Sequence, residues 1–330
     1  MELLVLLGLS VASGGLVLSF LKRLDRHRSD KGGQTFVWIF VAAGALSVLP
    51  SLGLYQLSPL WFQRSSGETW QQILYIWLVN APVEELGKYL TFALVATLLK
   101  TIREPQDGSL QGAQVGLGFA LVENFLYGLS GGWPLLLLRA FVSLPGHMVY
   151  GAVWGGYHGY EVYHGKGKVL RWSTPALALV PAVFSHALFN TLATVGVGLE
   201  FNLLADAATL GFGIFLYSRL TAVSPYRSRR PWKDWARAIP ELEHALVVNP
   251  QSFLLRQRLA GYLLASGDGE AALQQLEVAE SLAPGDRWTE FYREAARIRV
   301  GNGRGGANRD SETPEVAALN PGLFKALSGR

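Results

Sequence analysis

The chain contains no cysteine. That absence excludes disulfides, cysteine-ligated zinc and a thiol nucleophile together. Charge is also scarce: Asp, Glu, Lys and Arg make up 16% of 330 residues, against 50% hydrophobic residues. With a mean hydropathy of +0.22, this balance suits a polytopic membrane protein carrying a soluble appendage. The net charge of +4 is spread evenly along the chain, so nothing points to nucleic acid as a partner. There is no HExxH, the strong helical zinc signature, and no second copy of the polar motifs described below.

Apolar stretches of spanning length, about 20 residues, lie near 2–21, 35–57, 72–99, 112–130, 134–160, 174–197 and 203–222. They predict an all-α, polytopic bundle of about seven transmembrane helices. The first stretch starts with Glu2 and is followed by "KRLDRHR", the flanks of a retained anchor rather than of a cleaved signal. Basic residues gather after the first span (Lys22, Arg23, Arg26, Arg28, Lys31) and between the third and fourth (Lys100, Arg103). They gather again between the fifth and sixth (Lys166, Lys168, Arg171) and after the seventh (Arg227, Arg229, Arg230, Lys233). The positive-inside rule then places the N-terminus outside and the C-terminus in the cytoplasm.

The bundle ends near 222, and 223–234 reads as a Pro/Arg-rich linker. "ELEHALVVNP" (241–250) is echoed by "QLEVAESLAP" (275–284), with Pro250 and Pro284, Leu242 and Leu276, and Ala245 and Ala279 all 34 residues apart. That period resembles a tetratricopeptide repeat and predicts a small helical domain over 235–300. The alternative is an amphipathic hairpin of no particular repeat type. Its expected partner is a cytoplasmic protein or a second copy. The Gly- and Asn-rich remainder, 301–330, reads as a disordered tail.

Polar residues interrupt four spans: Glu84, Glu85 and Lys88; Glu123, Asn124 and Tyr127; Arg139 and His147; His186 and Asn190. A charge at mid-bilayer costs roughly 2.5–3.5 kcal/mol on insertion scales, so these residues require a reason. Glu84, Glu123, His147 and His186 each lie about a dozen residues into their span, which at 1.5 Å per residue puts them near one plane. Glu84 and Lys88 are i, i+4 neighbours and Glu85 reaches Lys88 at i, i+3, so one ammonium can partly neutralise the pair. Arg139 either snorkels or pairs with one of the glutamates. Pro82, Pro145 and Pro181 precede polar residues, where kinks free carbonyls beside cavities. Tyr127 and the glycines of "GAVWGGYHGY" read most simply as packing, and His158 as interfacial.

Such a set can activate water. A carboxylate in a low dielectric makes a usable base, a histidine can carry the proton, and an amide can donate to an oxyanion. Glu123, His147 and His186 could also supply a zinc shell, although no cofactor is expected from the residues alone. Two other classes compete. Intramembrane Glu, Lys and His also mark proton- or cation-coupled transporters, though these usually carry an internal duplication. A non-catalytic scaffold would display the repeat domain on a membrane anchor, yet would gain stability by losing the double glutamate.

"EELGK", "GFALVENFLYG", "RAFVSLPGHMVYGAVWGGYHG" and "PAVFSHALFN", in that order over about 75–192, resemble the PrsW family of intramembrane proteases, within the glutamate-type CAAX- and bacteriocin-processing superfamily. The resemblance implies a proteolytic site within the membrane, with Glu84 activating water beside Glu85, and His147 and His186 as the two histidines. Glu123 and Asn124 would match the second-helix motif. Lys88, Tyr127, Arg139 and Asn190 would support the site. Asn190 stands where PrsW-like proteins often have Asp. The implied substrates are membrane-anchored proteins such as anti-sigma factors, and the implied location is a bacterial plasma membrane.

Overall fold

The computed structural model describes residues 2–24, 34–56, 68–165, 173–226 and 232–304, and among them there are helices and turns but no strand. The chain divides into two units, Met1–Ser224 and Pro225–Arg330. Most of the basic loop residues that set the topology (Arg26, Arg28, Lys31, Lys166, Lys168, Arg171, Arg227, Arg229, Arg230) lie outside the described residues.

In the first unit, five helical segments are long and apolar enough to cross a membrane. They are α1 (Glu2–Leu24), the near-continuous pair α2 (Gln34–Leu46) and α3 (Val48–Gln56), α6 (Pro105–His164), α7 (Ser173–Val195) and α8 (Leu199–Ala222). Their outward faces carry large exposed apolar side chains such as Leu16, Phe141 and Ile214, a surface that lipid would cover. The expected third span runs through α4 (Thr69–Tyr75), a π turn at Ile76–Asn80 and α5 (Ala81–Leu99). Its three charged residues, Glu84, Glu85 and Lys88, set it apart from the others.

The expected fourth and fifth spans are the two arms of α6. A straight helix of 60 residues would be about 90 Å long, three bilayer cores. Instead Gly132, at φ 72° and ψ −179°, breaks the helical path two residues before Pro134, a conformation open to glycine and strained for other residues. The arms then fold back on each other along a glycine seam. A Cβ on Gly108 would lie 2.1 Å from the Gly155 carbonyl oxygen, one on Gly112 2.0 Å from that of Gly151, and one on Gly116 2.1 Å from that of His147. The arms therefore meet backbone to backbone, as small residues allow between membrane helices. This seam fixes the depth of His147. The hairpin starts cleanly: Pro105 takes the first helical position, and Asp107 Oδ2 accepts from the backbone amides of Arg103 and Glu104 at 2.8 and 2.9 Å, closing the helix end. A core of Leu18, Leu21, Val37, Ala113, Leu117, Ala120 and Leu144 holds α1 and α2 against α6.

The second unit contains α9 (Trp235–Val248), α10 (Phe253–Ser266), α11 (Gly269–Leu282) and α12 (Arg287–Arg304), preceded by a 3-10 turn. Helix α11 begins 34 residues after α9, and α12 34 residues after α10. The paired positions Leu242 and Leu276, and Ala245 and Ala279, are all buried. Side-chain caps start α10 and α11: Ser252 accepts from the Leu255 amide and Asp268 from that of Ala271, each worth about 1 kcal/mol. Helix α12 continues to Arg304; the rest of the expected tail, 305–330, lies outside the described residues.

Candidate active site

Pro82, at the start of α5, has no amide hydrogen to offer the preceding turn. The chain widens there into the π turn Ile76–Asn80, a local irregularity found frequently at functional sites. It turns Asn80 toward Glu84: Asn80 Nδ2 donates to Glu84 Oε1 at 2.8 Å, and the Tyr55 hydroxyl from α3 donates to the same oxygen at 2.8 Å. Asn190, from α7, donates to Asn80 Oδ1 at 2.8 Å. The asparagine of the fourth motif thus reaches Glu84 through Asn80.

The two adjacent glutamates have opposite surroundings. Glu85 is fully buried and accepts three donors: Lys88 Nζ at 2.5 Å and His186 Nδ1 at 2.8 Å on Oε1, and Trp154 Nε1 at 3.1 Å on Oε2. The shared ammonium expected from the spacing goes to Glu85 alone. Lys88 is itself buried, over the Phe119 ring at 4.3 Å and with Nζ 3.0 Å from His147 Nδ1. Glu84 is 6% exposed; its Oε2 is buried, accepts no hydrogen bond among the described residues, and lies 3.7 Å from His186 Nε2.

The protons follow from the partners. An ionised Glu85 can only accept, so His186 Nδ1 is its donor, and in the neutral form of the ring Nε2 then carries a bare lone pair. In that form two acceptors, Glu84 Oε2 and His186 Nε2, face each other at 3.7 Å. Each would be satisfied by a shared proton or a cation.

The remaining expected residues form the other flank. Arg139 pairs with Glu123 at 2.7 Å, donates through Nε to Asn124 Oδ1 at 2.9 Å and through Nη2 to Ser143 at 3.1 Å, and lies 3.9 Å from the Tyr127 ring centroid. Of the two roles open to Arg139, the structure selects pairing, and Tyr127 is its platform. Glu123 Oε2 also meets His147 Nε2 at 2.9 Å. The rings of His147 and His186 are 5.0 Å apart. His158 is buried against α5, bonded to the Tyr89 hydroxyl at 3.1 Å.

A metal-holding set does exist among the described residues, with Glu84 where the sequence suggested Glu123. Glu84, His147 and His186, all buried, bring ligand atoms within 4.8 Å of one another, while Glu123 is engaged by Arg139 and His147. The facing lone pairs of Glu84 and His186 suit a cation. Glu85 behind His186 Nδ1 is the outer carboxylate that commonly orients a ligating histidine. His147 fits after one exchange, because its two nitrogens are occupied by Lys88 and Glu123.

Sequence reasoning missed Tyr55, Asn80 and Trp154, together with Tyr150, whose ring stacks on His186 at 5.2 Å, and Asp206, whose Oδ1 shares the surroundings of Gly146 with the Tyr150 hydroxyl. Asn80 sits one turn before Glu84, a legible i, i−4 position. Asp206 interrupts the apolar "FNLLADAATLG" of α8 and is as conspicuous as the glutamates under the same insertion penalty. Tyr55, Tyr150 and Trp154 had no such signal, since an aromatic in a span is ordinary packing.

Residues 33–220 match the model of the PrsW family intramembrane metalloproteases. Protease PrsW of Geobacillus kaustophilus is 27% identical over 188 residues, covering 57% of this chain and 79% of that protein. Protease PrsW of Oceanobacillus iheyensis is 26% identical over 55% of this chain and 82% of its own length. Protease PrsW of Bacillus subtilis is 32% identical over a shorter match, 28% of this chain and 41% of that one. No solved structure matches the chain.

Proposed function

Because this chain belongs to the PrsW family of intramembrane metalloproteases, we propose that it hydrolyses a peptide bond in a membrane-anchored protein with water activated at Glu84. The observation that carries this reading is the uncommitted pair of acceptors, Glu84 Oε2 and His186 Nε2, 3.7 Å apart and buried. Such a pair takes a proton from water as the oxygen attacks the carbonyl and returns it to the leaving amine. Glu85, saturated by Lys88, His186 and Trp154, is a positioning residue that holds the His186 tautomer. Glu123 with Arg139 holds His147 in the same way.

The metal reading uses the same atoms. Glu84, His147 and His186 would hold the ion, and a zinc bound there supplies Lewis-acid polarisation of the peptide carbonyl.

The substrates proposed are single-span regulatory proteins of the anti-sigma type, in a bacterial plasma membrane with the N-terminus of this chain outside and its C-terminus in the cytoplasm. The 34-residue repeat of the second unit supports a tetratricopeptide-like module that docks a cytoplasmic protein or a second copy.

The test compares native membranes holding wild type or Glu84→Gln, with membrane peptides read by mass spectrometry. A juxtamembrane fragment that forms only with wild type is expected. Matching fragment sets under several stress conditions would overturn the protease reading.

A further inference from the structure

Hydrolysis by this site needs a donor for the carbonyl oxygen, which gains negative charge as water adds. The donors near the glutamates are almost all committed. Lys88 and Trp154 donate to Glu85, and Tyr55 and Asn80 to Glu84. Asn190, the amide of the fourth motif, donates to Asn80, and Arg139 is spent on Glu123, Asn124 and Ser143.

One donor that touches the histidines is free. Tyr150 is 2% exposed, and its hydroxyl makes no hydrogen bond among the described residues. Its ring stacks on His186 at 5.2 Å and 15°, and stands edge-on to His147 at 5.8 Å. The hydroxyl reaches back one turn, to 3.0 Å from where a Cβ on Gly146 would sit; Asp206 Oδ1 lies 3.5 Å from the same point. A glycine there leaves the hydroxyl room that a side chain would fill. The ring is buried, yet the hydroxyl oxygen is not among the buried atoms that lack a partner, so it opens on a space beside the His186 ring where a ligand can accept from it.

We propose that Tyr150 is a catalytic residue that donates a hydrogen bond to the oxygen of the scissile carbonyl; the proposal rests on the protease reading above. As the water oxygen bonds to the carbonyl carbon, the carbon–oxygen π electrons move to the oxygen, and Tyr150 O–H stabilises that charge without giving up its proton. The carbon–nitrogen bond then breaks, and the amine leaves with the proton held at Glu84 and His186. Asp206, whose Oδ2 lacks a partner among the described residues, has its Oδ1 beside the same Gly146 position as the hydroxyl. Asn124 Nδ2, a donor without a partner among the described residues, reaches the histidines through Arg139 and Glu123.

The experiment measures initial rates of fragment formation in native membranes carrying wild type, Glu84→Gln, Tyr150→Phe, Asn124→Ala, or the full chain with 3,5-difluorotyrosine at 150. Loss of one oxyanion donor lowers turnover about 10²–10³-fold, so Tyr150→Phe should fall that far while keeping wild-type thermal stability. The fluorinated phenol, a stronger donor of nearly the same shape, should match or exceed wild type. If no fragment depends on Glu84, the protease reading falls and this role with it. If fragments depend on Glu84 but Tyr150→Phe cleaves within threefold of wild type, or the loss appears in Asn124→Ala instead, only the role of Tyr150 is overturned.

Discussion

Glu84 and Glu85 are neighbours in sequence, yet replacing each by glutamine should have opposite consequences. Among the described residues Glu85 is the one carboxylate hydrogen-bonded to Lys88 Nζ, both side chains are 0% exposed, and it also receives His186 and Trp154. A glutamine at 85 leaves a buried ammonium without its counter-charge, a loss of about 3–5 kcal/mol when one partner of such a pair is removed. At Glu84 the outcome differs. Oε1 serves Tyr55 and Asn80, and an amide oxygen can accept both, while Oε2 has no bond to lose. Glu84→Gln should therefore unfold within about 1 kcal/mol of wild type and yet lose cleavage. The assay is unfolding in lipid nanodiscs followed by tryptophan fluorescence, run beside the cleavage comparison. Adding Lys88→Met to Glu85→Gln should recover most of the lost stability, because no unpaired charge remains, and the double-mutant cycle reads the coupling directly. Equal destabilisation by the two glutamine variants, or no recovery in the double variant, would refute the division of labour between the two carboxylates.

Two further outcomes test the frame around the site. Gly112→Ala places a methyl 2.0 Å from the Gly151 carbonyl oxygen. It should cost about 1–3 kcal/mol or more and abolish cleavage by spreading the arms that fix His147, whereas Gly211→Ala, with nothing within 4 Å, should leave both unchanged. In the second unit, burial pushes the Tyr292 hydroxyl up to about 12. The folded value lies above the unfolded value of about 10, so this contribution is complete below pH 10 and is lost as pH rises toward 12, about 2–3 kcal/mol in all. Hydrogen exchange of α12 in the full chain should show that weakening, Tyr292→Phe should remove this part of it, and an unchanged pH response in that variant would contradict the assignment.

Much of the site could be read in advance because membrane insertion penalises every ionisable group, and only a common purpose gathers several at one depth. Glu84, Glu85, Glu123, His147 and His186 are legible for that reason, and so was Asp206, had the same test been applied to the last span. The aromatic members were not legible. Tyr55, Tyr150 and Trp154 are apolar enough to sit in a span for packing alone, and only their neighbours reveal that one donates to Glu84, one to Glu85 and one to nothing.

The sequence by itself determined the helical class, the two-part organisation, the 34-residue period and the convergence of four motifs, because hydropathy, periodicity and charge cost act locally along the chain. It left open which glutamate would take Lys88, since i, i+3 and i, i+4 spacings are both satisfied on a helix surface. Nor did it decide whether Arg139 would snorkel or pair, or which carboxylate would join the histidines. Those choices were made by the tertiary structure, because a hydrogen bond depends on the direction in which a neighbouring helix presents its donor. Trp154 and His186 approach Glu85, Tyr55 and Asn80 approach one oxygen of Glu84, and the oxygen left over defines the site.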